Sequence, residues 1–193
     1  MVQIVLILPG ATDFDAQHRI QGNLDVPINE QGAAEVARMT DELTGRALDA
    51  LYAACGESAV QTATTLAAAF GLKVRVLDKL ENLNQGLWQG MLVEDVRLKQ
   101  PKVYRQWQEH PENVCPPEGE MLGDAVERVE SILQKLLKKH KAGTIGLVVA
   151  EPLASLVRRF ITHGPLGDLW KAAAEHGRWE ILDLQPQVLV PSS

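Results

Sequence analysis

Cysteine is scarce in this 193-residue chain, where Cys55 and Cys115 are the only two. Two cysteines build no disulfide framework, so the fold must rest on a packed core, and a reducing, cytoplasmic setting is expected. Long apolar runs are missing as well. None approaches the ~18 residues that read as a membrane-spanning helix. The first apolar run is short and has no basic segment before it, unlike a secretory leader. Positive charge is not in excess: 19 Lys and Arg stand against 25 Asp and Glu, a formal net charge of -6. Nothing in that balance draws the molecule to nucleic acid or to an anionic membrane. The one basic cluster, Lys138 to Lys141, falls in the last turn of an expected helix, where it complements the helix dipole.

What is present is the composition of a globular protein, 46% hydrophobic and 23% charged. Its length suits a single domain with a proper core over residues 1–193. Ile4 to Leu8 is an apolar run broken by Pro9-Gly10, the pattern of a buried strand and its turn. Leu48–Ala54, Val74–Leu77, Thr144–Ala150 and Trp179–Leu184 are further strand candidates. Between them lie helical patterns opening at Asn29 or Glu30, running through Ala59 to Phe70, over Leu122–Lys141, and over Leu153–Ile161. This alternation predicts an α/β fold with a mostly parallel sheet. Residues 79–123 break the rhythm and read as a loop-and-helix insertion across the strand ends. The tail from Pro186 to Pro191 reads as an edge strand or a docking segment.

Several segments carry a resemblance. His18-Arg19-Ile20-Gln21-Gly22-Asn23-Leu24-Asp25-Val26-Pro27 follows the first strand, and Gln61-Thr62-Ala63 follows the second. Gly86-Leu87-Trp88-Gln89-Gly90 is a Gly-x-Trp-x-Gly signature, and Pro116-Pro117-Glu118-Gly119-Glu120 leads to Arg128. Together and in order they resemble the histidine phosphatase superfamily, the phosphoglycerate-mutase-like proteins. That likeness implies a three-layer α/β/α sandwich and phosphatase or mutase chemistry through a phosphohistidine, with no cofactor. Gln21 and Gly22 stand where the family's substrate loop approaches the phosphate.

The catalytic positions of that family are differently filled. Its first strand ends Arg-His-Gly-Glu-Thr, and this chain has Leu8-Pro9-Gly10-Ala11-Thr12. The nucleophile position is therefore Pro9 and the first arginine position is Leu8. By the same resemblance Ser58 replaces the second arginine, Asn82 the general acid, and Glu151 the second histidine, while Asp15 replaces an asparagine. Proline offers no lone pair for attack, and Asn is no general acid near neutral pH. Forked guanidinium groups hold a dianionic phosphoryl group best, and both are lost. Each added carboxylate a few ångströms from a phosphate costs roughly 1–4 kcal/mol.

These substitutions lead to the expectation of a catalytically inactive family member with a binding or regulatory role. Its partner would be a protein or a small cationic ligand, and the oligomeric state, a dimer included, is left open. Three versions of the cleft compete. It can be filled by Leu8 and Pro9, with function elsewhere. It can be an acidic site in which Asp13, Asp15, Glu57 and Glu151 gather near Ser58 and Asn82, suiting a hard cation (Asp15 and Glu151 as ligands) or a cationic group. It can be an enzyme, either with residual phosphatase or mutase activity or with rebuilt chemistry that uses the carboxylates with a bound cation or uses Cys55, whose pKa a helix start would lower and on whose rim the resemblance also places Cys115. A structural role for the outer helices and for Val188-Leu189-Val190 is a separate class.

Overall fold

The computed structural model describes residues 2–184. Its five strands are β1 (Val2–Ile7), β2 (Ala50–Ala54), β3 (Val74–Leu77), β4 (Gly143–Val148) and β5 (Trp179–Asp183). They form one sheet in the order β3-β2-β4-β1-β5. The first four are mutually parallel, and β5 runs antiparallel on the outer side of β1. Side chains from Ile4 to Ile7, from Ala50 to Ala54 and from Ile145 to Val148 are buried on both faces of the sheet. That is why these strands read as unbroken apolar runs rather than as alternation.

The longer helices are amphipathic and cover the sheet as an α/β/α sandwich. Asn29 caps α2 (Glu30–Leu43) by accepting from the Gly32 N–H at 2.9 Å. The next, α3 (Glu57–Phe70), ends at Gly71, whose φ of 64° makes the left-handed stop. The long α6 (Leu122–Lys139) turns Ala125, Val129, Leu133, Leu136 and Leu137 inward, and α7 (Leu153–Thr162) follows β4. Helices α2 and α3 pack together, as do α6 and α7.

Two short elements have no periodicity long enough to read from sequence. One is α1 (Asp13–Ala16), fixed by a capping box between Thr12 and Asp15. The other is α8 (Leu169–Ala172), started by the Asp168 carboxylate. The second strand begins at Ala50 rather than Leu48, and Pro152 caps α7 from outside its first turn. The Pro186–Pro191 tail and Val188-Leu189-Val190 lie outside the described residues.

The 79–123 segment contains α4 (Val93–Lys99), α5 (Pro101–Glu109) and two 3-10 turns. An aromatic cluster fastens it to α8. Trp170 stacks on Tyr104 at 5.0 Å and lies 5.8 Å from Trp88 and 6.1 Å from Trp107. Trp88 and Trp107 meet edge to face at 5.9 Å.

Candidate functional site

The chain leaves β1 and reaches β2 without pairing with it, because β4 is inserted between them. The carboxyl ends of β1 and β4 therefore border a crevice at a topological switch point, where α/β sheets bind ligands. A cavity of about 420 Å3 opens there. Its floor is made by the turns after β1 and β4, including Pro9, Gly10, Ala150 and Glu151. The close approach of Gly10 to Gly32 on α2 leaves no room for a Cβ at either position.

Leu8 is 2% exposed and belongs to the core, whereas Pro9 lines the open cavity. The expectation that both residues fill the cleft is corrected. The Leu8 N–H donates to Arg178 at 2.8 Å, and the Pro9 carbonyl accepts from the Gly177 N–H at 2.7 Å. These bonds hold the turn flat against the segment before β5 and leave the space in front of it unfilled.

The carboxylates do not present a free acidic face. Asp15 and Glu151 both line the cavity. Asp15 is committed to the cap of α1: its Oδ2 accepts from the Thr12 N–H at 2.7 Å and the Thr12 hydroxyl at 2.8 Å. Glu151, with a side chain only 1% exposed, accepts from the Ser155 N–H and hydroxyl at 2.9 and 2.7 Å and from Arg158 at 3.2 Å. Burial raises its pKa against the lowering pull of those partners. Glu57 is not a cleft residue. It is exposed, and its carboxylate accepts from Gln61 one turn along α3 at 3.3 Å. Asp13 faces Asn29 at 3.3 Å instead. No group of three metal-ligating side chains converges among the described residues.

Ser58 and Gln21 line the main cavity and also a second one of about 240 Å3, where Asn82 and Cys55 lie. Asn82 donates to the Glu151 carbonyl at 3.0 Å and so ties the insertion to the end of β4. Gly22, at φ 57°, leaves room for the Gln89 carboxamide, whose Oε1 accepts from the Asn23 and Gln85 N–H groups at 3.0 and 3.1 Å. The expected activation of Cys55 is reversed. Burial and the carboxylates of Glu81, Asp25 and Asp78 push its thiol above the ordinary value. Cys115 is exposed, 3.6 Å from the Pro116 carbonyl, and lines neither cavity.

Several cleft residues have no motif to announce them. His18 and His176 both line the cavity, although neither falls on a family catalytic position. His176 Nδ1 lies 2.9 Å from Glu35 on α2, and that carboxylate also accepts from the Ala11 N–H at 2.9 Å. An ionised carboxylate can only accept, so Nδ1 carries the proton. Trp170 and Gln85 complete the wall. The only signal for Gln85 was its place beside the Gly-x-Trp-x-Gly signature.

The family model of the histidine phosphatase superfamily, branch 1, matches residues 4–190. The chain belongs to this superfamily. Among relatives within it, phosphoserine phosphatase 1 of Hydrogenobacter thermophilus is 32% identical over 148 residues, 77% of this chain and 70% of that protein. Phosphoglycerate mutase-like protein 4 of Arabidopsis thaliana is 29% identical over 76% of this chain and 65% of its own. A bifunctional protein of Mycobacterium tuberculosis is 27% identical, and the match spans 45% of its length. Solved structures share the fold. A mycobacterial glucosyl-3-phosphoglycerate phosphatase in complex with VO3 aligns with a TM-score of 0.82 at 22% identity, covering 94% of this chain and 97% of that one. The Entamoeba histolytica phosphoserine phosphatase in complex with 3-phosphoglyceric acid gives 0.79 at 17% identity, covering 98% and 100%.

Proposed function

We propose that this chain is a catalytically silent member of the histidine phosphatase superfamily, which keeps the inherited cleft to bind a ligand and acts as a binding or regulatory protein. Two of the relatives named above are called a phosphatase and a mutase-like protein, and superfamily chemistry runs through a nucleophilic histidine. The observation that carries the reading is Pro9 on the floor of an open cavity. It has no attacking atom, and no arginine stands at Leu8 or Ser58 to hold an oxyanion. A cavity of this size falls in the range of small-molecule sites. The test is hydrolysis of p-nitrophenyl phosphate, phosphoserine and 3-phosphoglycerate by purified protein. Rates should equal the protein-free background. Turnover that follows the protein through purification and is lost in Asp15→Asn or Glu151→Gln would overturn the reading.

One observation favours a second reading, an enzyme with rebuilt chemistry. A histidine whose Nδ1 is held by a carboxylate, as His176 is by Glu35, has the orientation of a general base. That reading requires an activity abolished by His176→Ala. The raised pKa of Cys55 argues against the thiol as its nucleophile.

A further inference from the structure

We infer that the cleft takes an uncharged small molecule with a neighbouring hydrogen-bond donor and acceptor, the edge shared by primary amides, lactams and nucleobases. The inference rests on the binding role proposed above and names the ligand class.

Two largely buried residues of the cavity wall carry polar groups that make no hydrogen bond among the described residues and keep surface accessible to solvent, unlike the buried and unpartnered Trp88 Nε1. Gln85 is 4% exposed and lines the cavity, and among the described residues its carboxamide makes no hydrogen bond. Its backbone is fixed on both sides, the N–H donating to Gln89 at 3.1 Å and the carbonyl accepting from Trp88 at 3.0 Å. Ser58, also 4% exposed, lines the same cavity with a hydroxyl that makes no hydrogen bond among the described residues. A carboxamide and a hydroxyl open to one cavity, on residues otherwise packed in the protein, are groups whose hydrogen bonds a ligand could take over from water. A carboxamide presents a carbonyl and an NH2 side by side, so its complement is another donor–acceptor edge.

Most ionisable side chains around the cavity are already engaged within the protein. Glu151 pairs with Arg158, Glu94 with Arg97 and Glu175 with Arg178. Asp15 serves the α1 cap, and His176 is held by Glu35. Arg19 donates to the Gly90 carbonyl at 2.6 Å and to Gln17 at 2.8 Å. His18, exposed at the rim, is the one cleft-lining ionisable side chain with no partner among the described residues. Asp15 and Arg19 are hydrogen-bonded to neutral groups only, one of each sign, so the wall has no excess of either charge with which to select an oxyanion or a cation. The rest of the wall, with Pro9, Ile20, Val93, Leu169 and Trp170, suits an apolar body.

The experiment is a thermal-shift and NMR titration of the whole protein at constant ionic strength. One set of probes is uncharged primary amides, lactams and unphosphorylated nucleosides. A second is inorganic phosphate and vanadate, and a third is spermidine and magnesium. Members of the uncharged set should stabilise the wild type by several degrees near saturation and lose that effect in Gln85→Leu and in Ser58→Ala. Without ligand, Gln85→Leu should melt at the wild-type temperature or about 2 °C above it, since an unpaired amide is replaced by an apolar group of similar size. If that variant does not fold, the carboxamide has an internal structural role and the inference fails; Ser58→Ala then reads the hydroxyl separately. Silence of the uncharged set overturns the inference and leaves the silent-enzyme reading intact. A shift with vanadate overturns both.

Discussion

The carboxylate of Glu35 joins two distant segments, lying 2.9 Å from His176 Nδ1 and accepting from the Ala11 N–H at 2.9 Å. It thereby fixes the turn after β1 against the segment that precedes β5. Burial works to raise the Glu35 pKa, but hydrogen bonds from Gln31, Ala11 and His176 outweigh it, and the group sits below its ordinary value of 4.5. A depressed carboxylate pKa contributes stability above the unfolded value, and that contribution is lost as pH falls through the folded value. Glu35→Gln should therefore cost about 1–2 kcal/mol near pH 7. The gap should close as the pH drops below 4.5. Urea denaturation along a pH series measures it, and a gap that stays constant into acid would refute the assignment.

Glu151 has the opposite sign. Burial raises its pKa above the ordinary 4.5, so its ionised form at neutral pH depends on Ser155 and Arg158. A raised carboxylate pKa contributes stability below the unfolded value, and the contribution is lost as pH rises through the folded value. Replacing Arg158 with Met leaves a buried carboxylate short of its counter-charge, which should cost about 3 kcal/mol at neutral pH. Near pH 4.5 and below, protonation of Glu151 should recover part of that loss. Equal destabilisation at both pH values would mean that Arg158 acts through Glu180 alone.

The sheet was legible because β1, β2 and β4 are buried on both faces and need continuous apolar runs, with glycine-marked turns between elements. The positions of Pro9, Ser58 and Glu151 were legible because each is fixed by a neighbouring motif. The partners of the carboxylates were not. Asp15 and Glu151 look like free acids in a linear sequence, and only the fold brings Thr12, Ser155 and Arg158 to them. His176 and Glu35 stand 141 residues apart, and no periodicity connects them. That the Gln85 carboxamide makes no hydrogen bond among the described residues is equally a property of packing, which a sequence does not show.

Cys55 should be a slow nucleophile. Its thiol is pushed up by burial first and by the carboxylates of Glu81, Asp25 and Asp78, with a single opposing backbone hydrogen bond. The thiolate is the reactive form, and raising the pKa by one unit lowers its population near neutral pH about tenfold. Iodoacetamide labelling followed by mass spectrometry should show Cys55 modified more slowly at pH 7 than an unstructured cysteine peptide. Replacing Glu81 with Gln should speed the reaction. Fast labelling of Cys55 in the wild type would restore the thiol chemistry that the structure argues against.

If the cleft is catalytically silent as proposed, a histidine placed at position 9 alone should not confer phosphatase chemistry. A histidine at position 9 would occupy the cavity floor, with Leu8 in the core and the short hydroxyl side chain of Ser58, not a guanidinium, on the wall. Without preorganised positive charge, a transferring phosphoryl group loses most of its stabilisation; even one missing donor of this kind is worth ~2.7–4 kcal/mol, about a hundred- to a thousandfold in rate. Leaving-group protonation is missing as well, because Asn82 donates its amide to the Glu151 carbonyl and carries no transferable acid proton. Pro9→His should therefore fold and remain at background with p-nitrophenyl phosphate, with no phosphohistidine detectable by mass spectrometry. Measurable turnover from this single change would show that the cleft binds phosphoryl groups, and it would narrow the proposed silence from the whole constellation to one residue.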